Sequence, residues 1–239
     1  MKIAGAVAEV HSLFESTRDY CKAYLSSEAA DFVITVTAED LAFEQDFLLR
    51  EALEEGFKVR TFTDPFLERA AIQRAFAAFL FDRDVLLLHG SLVAVDGEGF
   101  LFCARSGTGK STHTRYWREL FGSRAVMVND DKPFFAITDA GVTAYGAPWS
   151  GKHGLDTNIS VPLKGICLLE RGSENRIRKA DKEELLPMLI SQGCCPLDPG
   201  KEIRYHQLAE RFVGSTPLWH MACTKDPAAA RVAYEAMCK

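Results

Sequence analysis

The stretch Ala104-Arg105-Ser106-Gly107-Thr108-Gly109-Lys110-Ser111-Thr112 constrains this chain more than any other. Glycines at 107 and 109 supply positions where a side chain would collide with a bound anion or forbid a positive φ. Successive backbone N–H groups can then turn inward as an anion nest, and a helix leaving the loop adds partial positive charge at its N-terminus. Lys110 has the reach for β- and γ-phosphates, and the Ser111 hydroxyl suits Mg²⁺. The usual pattern has glycine where this chain has Ala104, but the glycines with the strictest physical task are present. Residues Ser106 to Thr112 are therefore the candidate phosphate-binding segment. A fold that uses it needs a strand before the loop and a helix after it.

The flanking sequence supplies both. Val85 to Val95 reads as a strand, Asp96 to Gly99 as a turn and Phe100 to Ala104 as a second strand. A helix follows over Lys110 to Phe121, then a buried strand over Ala125 to Val128. Phe134 to Thr138 and Val142 to Tyr145 form a second hairpin around Asp139-Ala140-Gly141. After a loop from Gly146 to Pro162, Lys164 to Glu170 and Pro217 to Cys223 read as strands. Helices are expected near 181–192, 203–213 and 228–237. Upstream, residues 2–10, 18–25, 31–37 and 57–62 read as strands, the 40s and 50s as weakly helical, and Asp64-Pro65 opens a helix running to Asp82. Nucleotide hydrolases with an all-parallel sheet alternate strand and helix. Hairpins on both sides of the loop argue instead for an α+β or mixed α/β fold. It would have a small N-terminal α+β portion, 1–82, packed on a nucleotide-binding core, 83–239.

The 239 residues are 47% hydrophobic, enough for one fair-sized core with an appendage. A net charge of −5 and the lack of any Lys/Arg cluster argue against a nucleic-acid partner. The apolar runs are too short to span a bilayer, and the N-terminal residues lack the long apolar core of a signal peptide. Seven cysteines without a C-x-x-C pair or zinc spacing fit free thiols in a reducing compartment; the adjacent Cys194 and Cys195 are the one oddity. The expected location is cytoplasmic.

Three further clusters carry chemistry. Asp130 and Asp131 end an apolar run, where a metal-binding carboxylate belongs, and adjacent residues there point in different directions. One of them can hold Mg²⁺ while the other accepts a proton from an incoming hydroxyl. His89 interrupts an apolar strand; a lone histidine so placed is more often a satisfied core or edge residue than a functional one. The loop Trp149 to Asn158 combines glycines with Lys152, His153, Asp156 and Asn158, the makings of a polar acceptor pocket with Trp149 as its apolar wall.

Leu88-His89-Gly90-Ser91, then a hairpin, then Ser106 to Ser111, then Asn129-Asp130-Asp131, together resemble the HPr kinase/phosphorylase family and its relative, ATP-dependent phosphoenolpyruvate carboxykinase. The resemblance covers residues 85–135 well and the rest loosely. It implies that Lys110 binds phosphate, Ser111 and Asp131 bind Mg²⁺, Asp130 is the general base and His89 lies near the transferred phosphoryl group. No HPr-binding segment is found after residue 160, and there is no evident arginine set for oxaloacetate, so neither is the expected acceptor. The reading is an Mg²⁺-ATP-dependent kinase acting on the hydroxyl of a small molecule, such as a polyol or hydroxy-amino acid. A serine kinase of a protein or peptide is the first alternative and a nucleotide sensor without turnover the second; Asp130 argues against the sensor, since binding alone needs no base. The reading leaves room for a homo-oligomer.

Overall fold

The computed structural model describes residues 1–54, 56, 61–194 and 196–238. The chain divides into two compact units, Met1–Phe79 and Leu80–Lys239.

In the first unit, β1 (Lys2–Ile3), β2 (Ala6–His11) and β3 (Phe32–Thr35) form a sheet in the order β1-β2-β3. β1 and β2 are antiparallel, β2 and β3 parallel. The expected single strand over 2–10 is thus a tight hairpin, turned at Ala4 and Gly5 with φ of 48° and 83°. Residues 18–25, expected as a strand, form instead the end of α1 (Glu15–Tyr20) and a 3₁₀ turn, Lys22–Tyr24. The reason is periodicity: Thr17, Cys21 and Tyr24 are all buried, and that spacing is a helix face. Two helices follow, α2 (Ala38–Glu54) and α3 (Asp64–Phe81). Residues 57–60 of the strand expected over 57–62 lie outside the described residues, and Thr61 and Phe62 form no strand. A cleft of about 670 Å³ in this unit, lined among others by Thr17, Arg18 and Cys21, holds none of the candidate site residues.

The second unit is built on one mixed sheet. Its strands are β4 (Val85–Leu87), β5 (Ser91–Val95), β6 (Glu98–Cys103), β7 (Ala125–Asn129), β8 (Phe134–Thr138), β9 (Gly141–Tyr145), β10 (Ser160–Arg171), β11 (Arg176–Lys179) and β12 (Leu218–Cys223). The order is β4-β8-β9-β10-β6-β5-β7, with β12 against β10 and β11 outside β12. β10 runs parallel to β6 and β12; the other pairs are antiparallel. The helices are α4 (Lys110–Phe121), α5 (Lys182–Gln192), α6 (Glu202–Gly214) and α7 (Ala228–Met237).

Side-chain alternation sorts the core into two layers. Val93, Val95, Phe100, Phe102, Cys167, Leu169 and Met221 pack with Trp117 of α4 and Ala230 of α7. Leu92, Leu101 and Ile166 face the other way, onto Leu189 of α5 and Phe212 of α6. Phe135, Ile137 and Ala144 from the far half of the sheet join this second cluster, so the sheet curls around it.

The curl accounts for the largest departure from the sequence reading. Val85 to Val95 is not one strand: the chain leaves β4 at one end of the sheet order and enters β5 near the other. The crossing is made at Leu88-His89-Gly90, and Asp130 to Pro133 makes the reverse crossing from β7 to β8. The two crossings lie side by side, the Leu88 N–H donating to the Pro133 carbonyl at 3.3 Å and the Gly90 N–H to the Asp131 carbonyl at 3.0 Å. A Cβ at Gly90 would stand 2.6 Å from Leu101 Cδ1, so any larger residue there would require the Leu101 side chain to shift.

Other boundaries shift for local reasons. Asp96 and Gly97, at φ of 51° and 83°, close the β5–β6 hairpin in two residues, so β6 starts at Glu98. β10 begins at Ser160, inside the expected loop, and the short edge strand β11 went unanticipated. At Gly146 an added Cβ would lie 1.9 Å from the Thr157 carbonyl oxygen and 2.9 Å from that of Val128, both backbone atoms. Gly146→Ala is therefore expected to cost about 3 kcal/mol, the upper end of overpacking, and roughly 6–12 °C in a thermal melt. An unchanged melting temperature would show that these two carbonyls can yield.

Candidate functional site

The glycine loop joins the buried end of β6 to α4. Gly107 and Gly109 sit at φ of 75° and 126°, backbone that a side chain would strain. Ser106 and Ser111 are exposed, Thr108, Gly109 and Thr112 half-buried. The Thr108 N–H closes a turn on the Arg105 carbonyl at 3.2 Å. Lys110 is 9% exposed, and its Nζ donates to the Ala104 carbonyl at 3.0 Å, folding the cation back over the loop. Burial pulls its ammonium below the ordinary lysine value, opposed by Cys103 and Asp131. Behind the loop, the Thr114 and Ser91 hydroxyls share a hydrogen bond of 3.1 Å, which ties α4 to β5. His113 is buried, accepts from Trp117 Nε1 at 3.1 Å and is pushed down to about 4 by burial, so it stays neutral within the core.

The two crossings bring the remaining residues to this loop. His89 is on the first crossing, where its backbone N–H donates to the Gln192 carbonyl at 2.7 Å. Its Nε2 lies 3.1 Å from Asp131 Oδ1. Burial would raise the Asp131 carboxyl, but the His89 hydrogen bond and the positive groups of Lys132, His89 and Lys110 outweigh it and hold it below the ordinary aspartate range. Asp130 behaves in the opposite way. It is 5% exposed, and burial raises its carboxyl above the ordinary value. The Gly151 N–H and His153 pull back, Asp131 adds to the rise, and the net shift is upward. Neighbouring carboxylates in different surroundings are thus driven apart, the arrangement by which proteins divide acid–base roles.

The loop expected to form an acceptor pocket meets Asp130 at both side chain and backbone: the Gly151 N–H donates to Asp130 Oδ1 at 2.5 Å, and the Asp130 N–H donates to the Leu155 carbonyl at 3.1 Å. A Cβ at Gly151 would lie 3.3 Å from both Asp130 oxygens. Lys152, His153 and Asn158 are exposed. Trp149 is buried, its ring 6.2 Å from that of Phe134. Asp156 accepts from the Ser150 hydroxyl at 2.9 Å and bridges to Asn129. Trp149 and Asp156 therefore shape the loop from within, while Lys152, His153 and Asn158 are exposed.

Two residues escaped the sequence reading. Asn129 is fully buried; its Oδ1 accepts the Asp131 and Lys132 N–H groups at 2.8 and 2.6 Å, and its Nδ2 donates to the Ala147 carbonyl at 2.7 Å. It sets the crossing and pins the chain at Ala147, just before the Trp149–Asn158 loop, to it. The signal was available: asparagine at a strand end caps the backbone beyond it. The other is Arg171, whose Nη2 donates to the Gly107 carbonyl at 2.7 Å, and nothing in the local sequence announces it. Cys195 lies outside the described residues, and Cys194 is half-buried. Among the described residues no group of three His, Cys, Asp or Glu side chains could hold a metal, and no helix is long and apolar enough to cross a membrane.

A curled mixed α/β sheet with a glycine loop, a buried lysine and split aspartates at its seam is the class of protein the fold and site define. No family model matches the sequence, and no curated protein matches it. Among solved structures, the chain is similar to the structure of the Hpr(Ser) kinase/phosphatase from Coxiella burnetii, at 8% identity and a TM-score of 0.39, over 63% of this chain and 95% of that one.

Proposed function

We propose that the protein is an Mg²⁺-ATP-dependent phosphotransferase that phosphorylates a hydroxyl group. The observation that carries this reading is the meeting of Lys110, Asp131 and His89 at one seam, with Asp130 beside them in a different electrostatic setting. The loop amides and Lys110 would take the β- and γ-phosphates, and catalysis would be mainly positioning and charge neutralisation.

The residues present fit Mg²⁺. That ion keeps most of its waters and needs only one or two protein carboxylates beside the phosphates. Asp131 is held ionised and Ser111 is exposed at the first turn of α4; these two would hold it. When bound, it neutralises phosphate charge. Asp130 has one oxygen engaged by Gly151 and an upward-shifted carboxyl, which suits a base that takes the proton of the acceptor hydroxyl. His89 orients Asp131.

Asp130 is 5% exposed, which favours a slender acceptor: a small polyol or hydroxy-amino acid before a protein serine. Lys152 and His153, the exposed residues that follow Gly151, would meet it. Lys152→Ala is expected to raise the acceptor KM about tenfold, the scale of one hydrogen bond to a charged group, with ATP affinity unchanged. Incubation with ATP, Mg²⁺ and a panel of hydroxyl metabolites, followed by mass analysis for a gain of one phosphate, tests the whole reading. Phosphorylation of an added serine peptide but of no metabolite would replace the small acceptor with a protein one. ATP binding with neither product would leave a sensor.

A further inference from the structure

β10 overshoots the strand that delivers the glycine loop. β6 ends at Cys103, which lies beside Leu168 in the parallel β6–β10 pair, and β10 continues to Arg171. At the rise of a strand, these further residues carry Arg171 ~10 Å beyond the end of β6. Cys167 and Leu169 are buried on the face covered by α4 and α7, and alternation puts Arg171 on that same face. It therefore stands where the loop turns into α4.

Its guanidinium donates to the Gly107 carbonyl at 2.7 Å. A peptide unit is planar, with its C=O and N–H opposed, so a cation that draws this carbonyl outward fixes the direction of the next N–H, that of Thr108. Lys110 grips the loop at its other end, on the Ala104 carbonyl. Two cations thus hold the loop's backbone, Lys110 just before the turn Arg105–Thr108 and Arg171 within it.

We propose that Arg171 is a positioning residue for the nucleotide: by clamping the Gly107 carbonyl it keeps the loop in the shape that receives phosphate. The proposal rests on the phosphate-binding reading of Ser106 to Thr112. It differs from an ordinary surface contact in that its loss changes ligand affinity and loop order without changing the stability of the fold.

The test compares wild type with Arg171→Ala and Arg171→Lys. Without nucleotide, amide hydrogen exchange over residues 105–109 is expected to be about tenfold faster in R171A, at an unchanged melting temperature. With Mg²⁺-ATP, calorimetry is expected to give about tenfold weaker binding for R171A and an intermediate value for R171K, the scale of one charge-assisted hydrogen bond. Millimolar guanidinium ion should restore part of the R171A affinity. If wild type binds ATP and R171A matches it in both affinity and loop exchange, the proposal alone is overturned. If R171A loosens the loop but wild type binds no ATP, the nucleotide role falls together with the phosphate-loop reading.

Discussion

Replacing Lys110 with alanine is expected to reduce phosphoryl transfer by ~10²–10³-fold, the cost of removing one preorganised charge-stabilising donor, and to weaken ATP binding. The side chain is buried and donates to the Ala104 carbonyl, so the variant also leaves that carbonyl short of a partner. Ala104 is fully buried at the end of β6, so the cost is that of one unsatisfied buried carbonyl, ~1–3 kcal/mol. The fold should survive that loss, with a melting temperature lowered by roughly 2–12 °C. Burial already lowers the Lys110 ammonium, and an arriving phosphate would restore its preference for the charged form, so the lysine interacts more strongly with the ligand than a solvated one would. Calorimetry with ATP and a transfer assay check this together. Normal affinity with normal turnover in K110A would remove the phosphate loop from the account.

How far the sequence reached is clearest at the seam. The loop, α4 and the paired aspartates were legible because their signals are local: glycine spacing, helical periodicity and an apolar run ending in carboxylates. The break at His89-Gly90 was not. Leu88, Leu92 and their neighbours are apolar on both sides of it, as buried strands are, and the chain changes its place in the sheet without changing composition. Only the pairing of β4 with β8 and of β5 with β6 and β7 reveals the crossing. Cys21 and Tyr24 misled in another way, since a stretch as short as residues 18–25 can be read at either period. Arg171 could not be found locally at all; its partner is 64 positions away and the contact depends on how far β10 outruns β6. The Trp149–Asn158 loop lies between these cases. Its glycines and polar residues marked it as special, yet which of them are exposed depended on Trp149 packing against Phe134 and on Ser150 bonding Asp156.

The two aspartates give the sharpest test of the chemistry. Asp130→Asn keeps the shape: the amide oxygen can still accept the Gly151 N–H that now meets Asp130 Oδ1. It removes the base, and transfer should fall by ~10²–10⁴-fold while ATP affinity stays near that of wild type. Asp131→Asn keeps the base and weakens the carboxylate that would hold Mg²⁺, so its activity should recover toward wild type at high Mg²⁺, which D130N's should not. The pH dependence follows from the opposed shifts. Asp130 must be ionised to accept a proton, and its carboxyl is raised by burial. Wild-type kcat/KM should therefore decline, as pH falls, at a pH above that at which an ordinary aspartate protonates. Asp131, held low chiefly by His89 against the effect of burial, stays ionised through that decline, so the metal requirement should not change across it. In D130N the residual rate should lose this limb of the profile, because the group that titrates there is gone. A D130N profile that still falls over the same range, or identical Mg²⁺ titrations for D130N and D131N, would mean that the two carboxylates do not divide the work in this way.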